Sequence, residues 1–456
     1  MPRSILRVLV VLVLLVLLAA GVLIGRWLGQ SFRAAPPPER AEVVSSRPAI
    51  TSTPAHTAGV APATRGVAPT AGALAASSTA VQSHPALTSS PAAARPLTTQ
   101  PGEASWAIFR GDRALTGHFD ADIAAPLRVK WRFVAKGPVK SSPVIWAHRV
   151  FFGSSDGNVY CLDASDGSVV WQLQADIPIE APPLLLDGQL IIGTSDGTLL
   201  SVSAQDGQER WRFKSADKII GSANWFDHAT AGRCVAFGSY DSSLYCVSAK
   251  TGQLIWKYQT ENYLNGTPAI AAGLAAIGGC DGKLHVVDLL TGQAKRQIPA
   301  GHYIAASPAI AENIAYIGNH DDSFYAFDVT GTDPDSPKPI WQIQSEKAGY
   351  YASAAVAGER VVTASMDGSV AGLDRKTGQP LWQFAADATI NASPVIAGQT
   401  VLIATEEGKL YLLGLADGKR QGDFDAGAGV TATPAIGENL IVIGCDDGSV
   451  YGLGNK

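Results

Sequence analysis

The chain is short of the residues on which most enzyme chemistry depends. Its 456 residues include five cysteines, two methionines and eight histidines. The cysteines (Cys161, Cys234, Cys246, Cys280 and Cys445) form neither a CxxC nor an adjacent pair, which leaves no thiol-redox or zinc framework. An odd number of them, set in apolar strings such as VYCLD and LYCVS, reads as small buried hydrophobes. No HxH or HExxH spacing links the histidines, and neither a GxSxG elbow nor a glycine-rich phosphate loop occurs. Charge is thin as well, with 16% charged residues and a net charge of −5. No basic patch or aromatic-basic stripe is present, so nucleic acid is excluded as a partner.

Composition divides the chain in three. Residues 8–25 are apolar without a charge. That run is longer than the ~7–15 residues of a cleaved signal core and reaches the lower end of the ~17–25 needed to cross a bilayer. Arg26 and Arg33 follow it, and no cysteine stands there for lipid attachment. The expectation is a short tail and uncleaved transmembrane anchor over 1–33, a single-pass membrane protein. Residues 34–101, rich in Ala, Pro, Thr and Ser, hold too little large apolar material to pack, and a disordered linker is expected. Arg3 and Arg7 on one side of the span face Arg26, Arg33 and Arg40 on the other, so charge does not orient it. The stalk-like linker favours the folded part, 102–456, on the periplasmic or extracytoplasmic side.

The folded part repeats itself. A hairpin signal (apolar-x-apolar, Gly, then Asp-Gly, then apolar-Tyr-x-apolar) recurs eight times, with its turn acid at Asp156, Asp196, Asp241, Asp281, Asp321, Asp367, Glu407 and Asp447. Before most copies stands a small-residue segment with proline, such as SSPVI at Pro143 and ATPAI at Pro434. After each copy except the last comes a second turn and a strand that usually carries Trp. Four short strands per repeat of about 40 residues make a propeller blade. The fold class is therefore all-β, an eight-bladed β-propeller of four-stranded antiparallel blades.

Tryptophan gives an independent count: Trp131, Trp171, Trp211, Trp256, Trp341 and Trp382, with Arg296 and Gly422 at the two remaining positions. The first of these precedes the first complete repeat, whereas the last repeat lacks this strand. Residues 127–135 should thus complete the C-terminal blade and close the ring. A buried indole at each seam is expected, with weaker seams at Arg296 and Gly422.

The strings VYCLDASDGSVVW and AGLDRKTGQPLW resemble the tryptophan-docking motif of the PQQ-like (quinoprotein-type) β-propeller family, and WAIFRGDRALTGH (Trp106 to His118) is similar to that family's entry segment. The resemblance covers 106–456. It implies the fold but leaves function open, because the family includes quinone-cofactor dehydrogenases, the assembly component BamB and sensor domains. By that resemblance a dehydrogenase needs pyrroloquinoline quinone on a Trp floor, calcium held by Glu and Asn, a catalytic Asp, often paired cysteines, and long inter-blade insertions. The cysteine pair and the long insertions are missing here.

The residue three before each aligned proline should face the channel mouth: Lys140, Glu180, Ile220, Asn265, Ala305, Tyr351, Asn391 and Thr431. One acid among eight is too few for calcium, which takes 6–8 oxygens. Lys140, Glu180, Asn265, Tyr351 and Asn391 are the candidate contacts for a polar ligand. No catalytic, cofactor or metal residue is assigned. The expectation is a non-catalytic, BamB-like scaffold that binds envelope proteins and is held by its N-terminal helix. The alternatives are a PQQ-dependent oxidoreductase and a small-ligand or sugar sensor using the mouth.

Overall fold

The computed structural model describes residues 105–121, 123–331, 338–345, 348–437 and 439–455, and the expected anchor and linker lie outside them. Among the described residues no helix is long and apolar enough to cross a membrane. Eight separate sheets are present, one per blade. Blade 1 runs outward through Val144–Trp146, Arg149–Gly153, Asn158–Asp163 and Val169–Gln174, each antiparallel to the last. Its hairpin works as the sequence pattern demands. The Asp156 carboxylate accepts the N–H of Asn158 at 3.0 Å, and Gly157 takes φ 85°, a left-handed turn that a side chain would strain.

Burial changes along the blade for a geometric reason. Every residue of Arg149–Gly153 is buried, because the second strand is sandwiched between the faces of neighbouring blades. A strand covered on both faces reads as a near-continuous apolar run. The outermost strand, Val169–Gln174, keeps only Trp171 buried.

The remaining blades repeat this plan, and blade 7 gains a fifth, parallel strand, His118–Phe119, inside its innermost one. Blades 2 to 4 begin at Leu184–Leu186, Asn224–His228 and Ala269–Ala271, and blades 5 to 7 at Ala309–Ala311, Ala355–Ala357 and Val395–Ala397. Blade 8 joins the two ends of the propeller. Its inner three strands are Ala435–Gly437, Leu440–Gly444 and Ser449–Gly454, and Arg128–Val134 supplies the outer strand, with Arg128 opposite Gly454 and Val134 opposite Ser449. Closure of the ring follows the sequence expectation.

Each indole spans a seam. Trp131 Nε1 donates to Ala164 O at 2.9 Å, and Trp171, Trp211, Trp256, Trp341 and Trp382 make the same bond to the next blade at 2.9–3.0 Å. The ring lies over a turn glycine; a Cβ on Gly167 would sit 2.7 Å from Trp131, so only glycine lets the indole settle. At the two seams without Trp other groups occupy the indole's place. Arg296 takes the indole's part, its guanidinium donating to Asp328 O in the next blade. At Gly422 the entry chain fills the gap, since a Cβ there would meet Ala125 at 2.6 Å.

The entry segment also plugs one end of the central channel. The N–H of Ile145 donates to Trp106 O, Leu185 to Ala107 O, Ile270 to Arg113 O, Ile310 to Ala114 O, Val356 to Thr116 O and Ile396 to Gly117 O, all at 2.7–2.9 Å. These are innermost-strand groups of blades 1, 2, 4, 5, 6 and 7, and in blade 7 the entry segment goes on to pair in parallel as a short strand, with His118 opposite Ile396 and Phe119 opposite Ala397. In blade 3 a carboxamide adapts the fit: Asn224 Oδ1 takes the Trp225 N–H at 2.8 Å while Nδ2 donates to Arg113 O at 2.7 Å. Fully buried Arg110 locks the plug by donating to the carbonyls of Ala354 and Pro394. Desolvation lowers the pKa of this guanidinium, and the nearby Asp112 charge opposes the shift.

Candidate functional site: the channel mouth

Above the plug lies a pit of about 480 Å³. Phe109 of the entry segment is part of its lining. All eight positions read from the sequence line it, including the candidate contacts Lys140, Glu180, Asn265, Tyr351 and Asn391. They converge because each sits in the connector that leads down into an innermost strand, at the same height in every blade.

One layer deeper, hydroxyls tie the connectors together around the pit. The N–H of Ser222 donates to Thr267 Oγ1, Thr267 to Ser307 Oγ, Ser307 to Ser353 Oγ, Ser353 to Ser393 Oγ, Ser393 to Thr433 Oγ1 and Thr433 to Ser142 Oγ, at 2.8–3.2 Å. The circuit stops at Pro182, which has neither an N–H nor a hydroxyl to offer. There Ser141 Oγ donates to Ala181 O at 2.8 Å instead.

The rim has two unlike halves. From blades 3 to 6 come aromatic rings: Tyr240 stacks on Tyr263 at 5.1 Å, Tyr303 on His320 at 4.1 Å, and Tyr351 meets His320 edge-on at 4.8 Å. Tyr240 donates to Asn265 Oδ1 at 3.0 Å, and burial raises its phenol to about 12, with smaller contributions from nearby acids. Lys218 lies 4.2 Å over the same ring. The other half is polar. Lys140 Nζ is 4.0 Å from Glu180 Oε1, Asn391 donates to Glu406, and Thr431 donates to Asp446 at 2.8 Å.

Most of the aromatic half was missed by sequence reasoning, yet a signal existed. Tyr240 and His320 each stand one residue before a turn acid, as Glu406 and Asp446 do in the polar half. That residue's N–H donates to the connector carbonyl two residues before the mouth position: Tyr240 to Lys218, His320 to Tyr303, Glu406 to Thr389 and Asp446 to Gly429, at 2.8–3.0 Å. The hairpin tip is thereby folded onto the rim. His302, exposed, pairs with Asp321 at 3.1 Å, and four of the five cysteines are buried, the exception being Cys280.

The mouth does not fit a quinone-and-calcium centre. No tryptophan lines the pit, and its two carboxylates, Glu180 and Glu406, already face Lys140 and Asn391. Among the described residues no group of three or more His, Cys, Asp or Glu side chains converges as a cation site.

Comparison with known proteins bears on the fold. Residues 124–330 and 326–456 match the family model described as outer membrane protein assembly factor BamB. No curated protein matches the chain. Among solved structures, BamB from Moraxella catarrhalis shares 21% identity over 73% of this chain and 98% of its own, with a TM-score of 0.61. The quinohemoprotein alcohol dehydrogenase of Comamonas testosteroni shares 14% over 77% and 80%, with a TM-score of 0.65. A computationally designed protein, Ika8, shares 18% over 72% of this chain and all of its own, with a TM-score of 0.63. At these identities the likeness is one of fold. The repeat, the closed ring and the matched residues together establish that the chain belongs to the PQQ-like propeller family whose model is described as outer membrane protein assembly factor BamB.

Proposed function

We infer that the chain is a non-catalytic scaffold, held on a bacterial envelope membrane by residues 1–33, that presents its propeller on the extracytoplasmic side to protein partners. The carrying observation is the mouth: a pit with an aromatic half and a polar half, where Glu180 faces Lys140 and Glu406 accepts from Asn391. Aromatic rings beside exposed polar groups suit a peptide surface, where Tyr contributes large rigid contact area. A photo-crosslinking residue placed at Tyr263, which is 47% exposed, tests this in the full membrane-embedded chain. A discrete set of envelope proteins should be captured. A copurifying chromophore without crosslinked protein would overturn the reading.

The aromatic half also favours a second reading, a sensor of sugar or another small ligand that stacks on Tyr303 and Tyr240. An oxidoreductase role has only the fold in its favour, since the donor set falls short. Titration of the full chain with pyrroloquinoline quinone and calcium should therefore give no stoichiometric change in quinone absorbance and no dye reduction with alcohols. Stoichiometric binding would bring the enzyme reading to the front.

A further inference from the structure

Away from the mouth, the seam between blades 5 and 6 holds the larger cavity, about 800 Å³. The repeat explains why it is there. In blade 1, Phe152 lies opposite Tyr160 across the middle strands, and both rings pack against Phe133 from the preceding blade at 5.2–6.1 Å. Blade 3 builds the same cluster from Phe237, Tyr245 and Phe213. Blades 5, 7 and 8 put Ile opposite Tyr in that register, at Ile317 and Tyr325, Ile403 and Tyr411, and Ile443 and Tyr451. Blades 2 and 4 use Ile192 with Leu200 and Ile277 with His285. Blade 6 alone has two small residues there, Thr363 opposite Ala371, and both line the cavity, together with Ile343 at the position of Phe133.

The space keeps the acceptor that the phenol uses in blades 1 and 3 as well as its volume, whereas Tyr411 and Tyr451 of blades 7 and 8 donate to the carbonyls of Ala386 and Ala426. Tyr160 donates to Asp156 at 2.7 Å and Tyr245 to Asp241 at 2.6 Å, each to the turn acid of its own hairpin. The turn acid of blade 6, Asp367, lines this cavity. It also receives the N–H of Ser369 at 3.0 Å and the hydroxyl of Ser365, which fix its carboxylate much as Asn158 fixes that of Asp156, a carboxylate that accepts a phenol alongside those bonds. Gln344 and Gln383 at the cavity wall are exposed, so the opening faces solvent.

We propose that this cavity is a binding site for a phenolic ring supplied from outside the chain, seated against Ala371 and Thr363 with its hydroxyl donating to Asp367. The ring replaces the tyrosine that blade 6 lacks. Two sources share this chemistry, a tyrosine side chain of a polypeptide and a free phenol, and the test separates them.

The test titrates the full chain in detergent with p-cresol, toluene and the blocked tripeptide Gly-Tyr-Gly, following melting temperature and affinity. p-Cresol should bind and raise the melting temperature, with toluene weaker by about tenfold for want of the hydrogen bond. Asp367→Asn keeps a turn-compatible residue but offers a neutral acceptor in place of a charged one, and should reduce that preference. Ala371→Tyr should raise the melting temperature without ligand and weaken p-cresol at least about tenfold. Ala371→Leu, which copies Leu200 of blade 2, gives the same readout should the tyrosine variant fail to fold. Tighter binding of the tripeptide than of p-cresol assigns the site to a polypeptide, and the reverse order to a small phenol. No p-cresol binding, or binding unchanged in a folded Ala371 variant, would overturn the proposal.

Discussion

Deleting residues 102–135 should abolish cooperative thermal unfolding of the propeller, whereas deleting 36–100 should leave the melting temperature within about 2 °C of the parent. The first deletion removes two devices at once. The strand Arg128–Val134 closes blade 8, and losing Trp131 there costs about 3–5 kcal/mol by analogy with other buried aromatics. The plug supplies acceptors for innermost-strand N–H groups in six blades, and at ~0.5–1.5 kcal/mol each their loss adds about 3–9 kcal/mol. Together these approach the roughly 5–15 kcal/mol that holds a whole domain folded. Differential scanning calorimetry of both truncations decides the matter. Equal melting temperatures would show that the ring closes without its N-terminal strand.

Replacing Arg110 by Met should be the most damaging single substitution in the propeller outside its tryptophans. The side chain is fully buried, and its guanidinium is the donor to Ala354 O and Pro394 O. Methionine fills much of the space but leaves both carbonyls without that donor in a site closed to water. At ~1–3 kcal/mol per orphaned group the loss is about 2–6 kcal/mol. Lysine, a point charge without the planar fork, can serve one carbonyl well but not both, and should fall between methionine and the parent. Urea unfolding of the three proteins gives the comparison. The surface pair Arg212 and Glu209 serves as control, since breaking an exposed ion pair of this kind costs ~0–1 kcal/mol. An Arg110→Met midpoint no lower than that of the control would mean that the plug is not held by this residue.

Much of the mouth was legible because its residues recur at a fixed offset from a repeated proline. Lys140, Glu180, Asn265, Tyr351 and Asn391 all arrive at the pit, since equal offsets in equivalent blades reach equal heights. Tyr303, by contrast, lies at an offset that carries Pro138 in blade 1 and Gly349 in blade 6, so nothing in the repeat marks it as a ring at the rim. What fills the seams at Arg296 and Gly422 was illegible for a related reason. A missing indole reads as a loss from sequence, and only the neighbours show that a guanidinium or Ala125 takes its place.

The sequence by itself determined the blade count, the strand plan of each blade, the seam tryptophans and the closure of the ring. All four are encoded by signals that lie within one repeat or recur at its period of about 40 residues, where turn chemistry and alternation act locally. Tertiary structure alone decided the plug, the hydroxyl circuit broken at Pro182, the aromatic half of the mouth and the cavity beside Ala371. Each of these joins groups from different blades, as Arg110 joins Pro394 across 284 positions of sequence. Such contacts are set by where the closed ring brings backbone carbonyls and side chains together, and no local pattern in the chain records that distance.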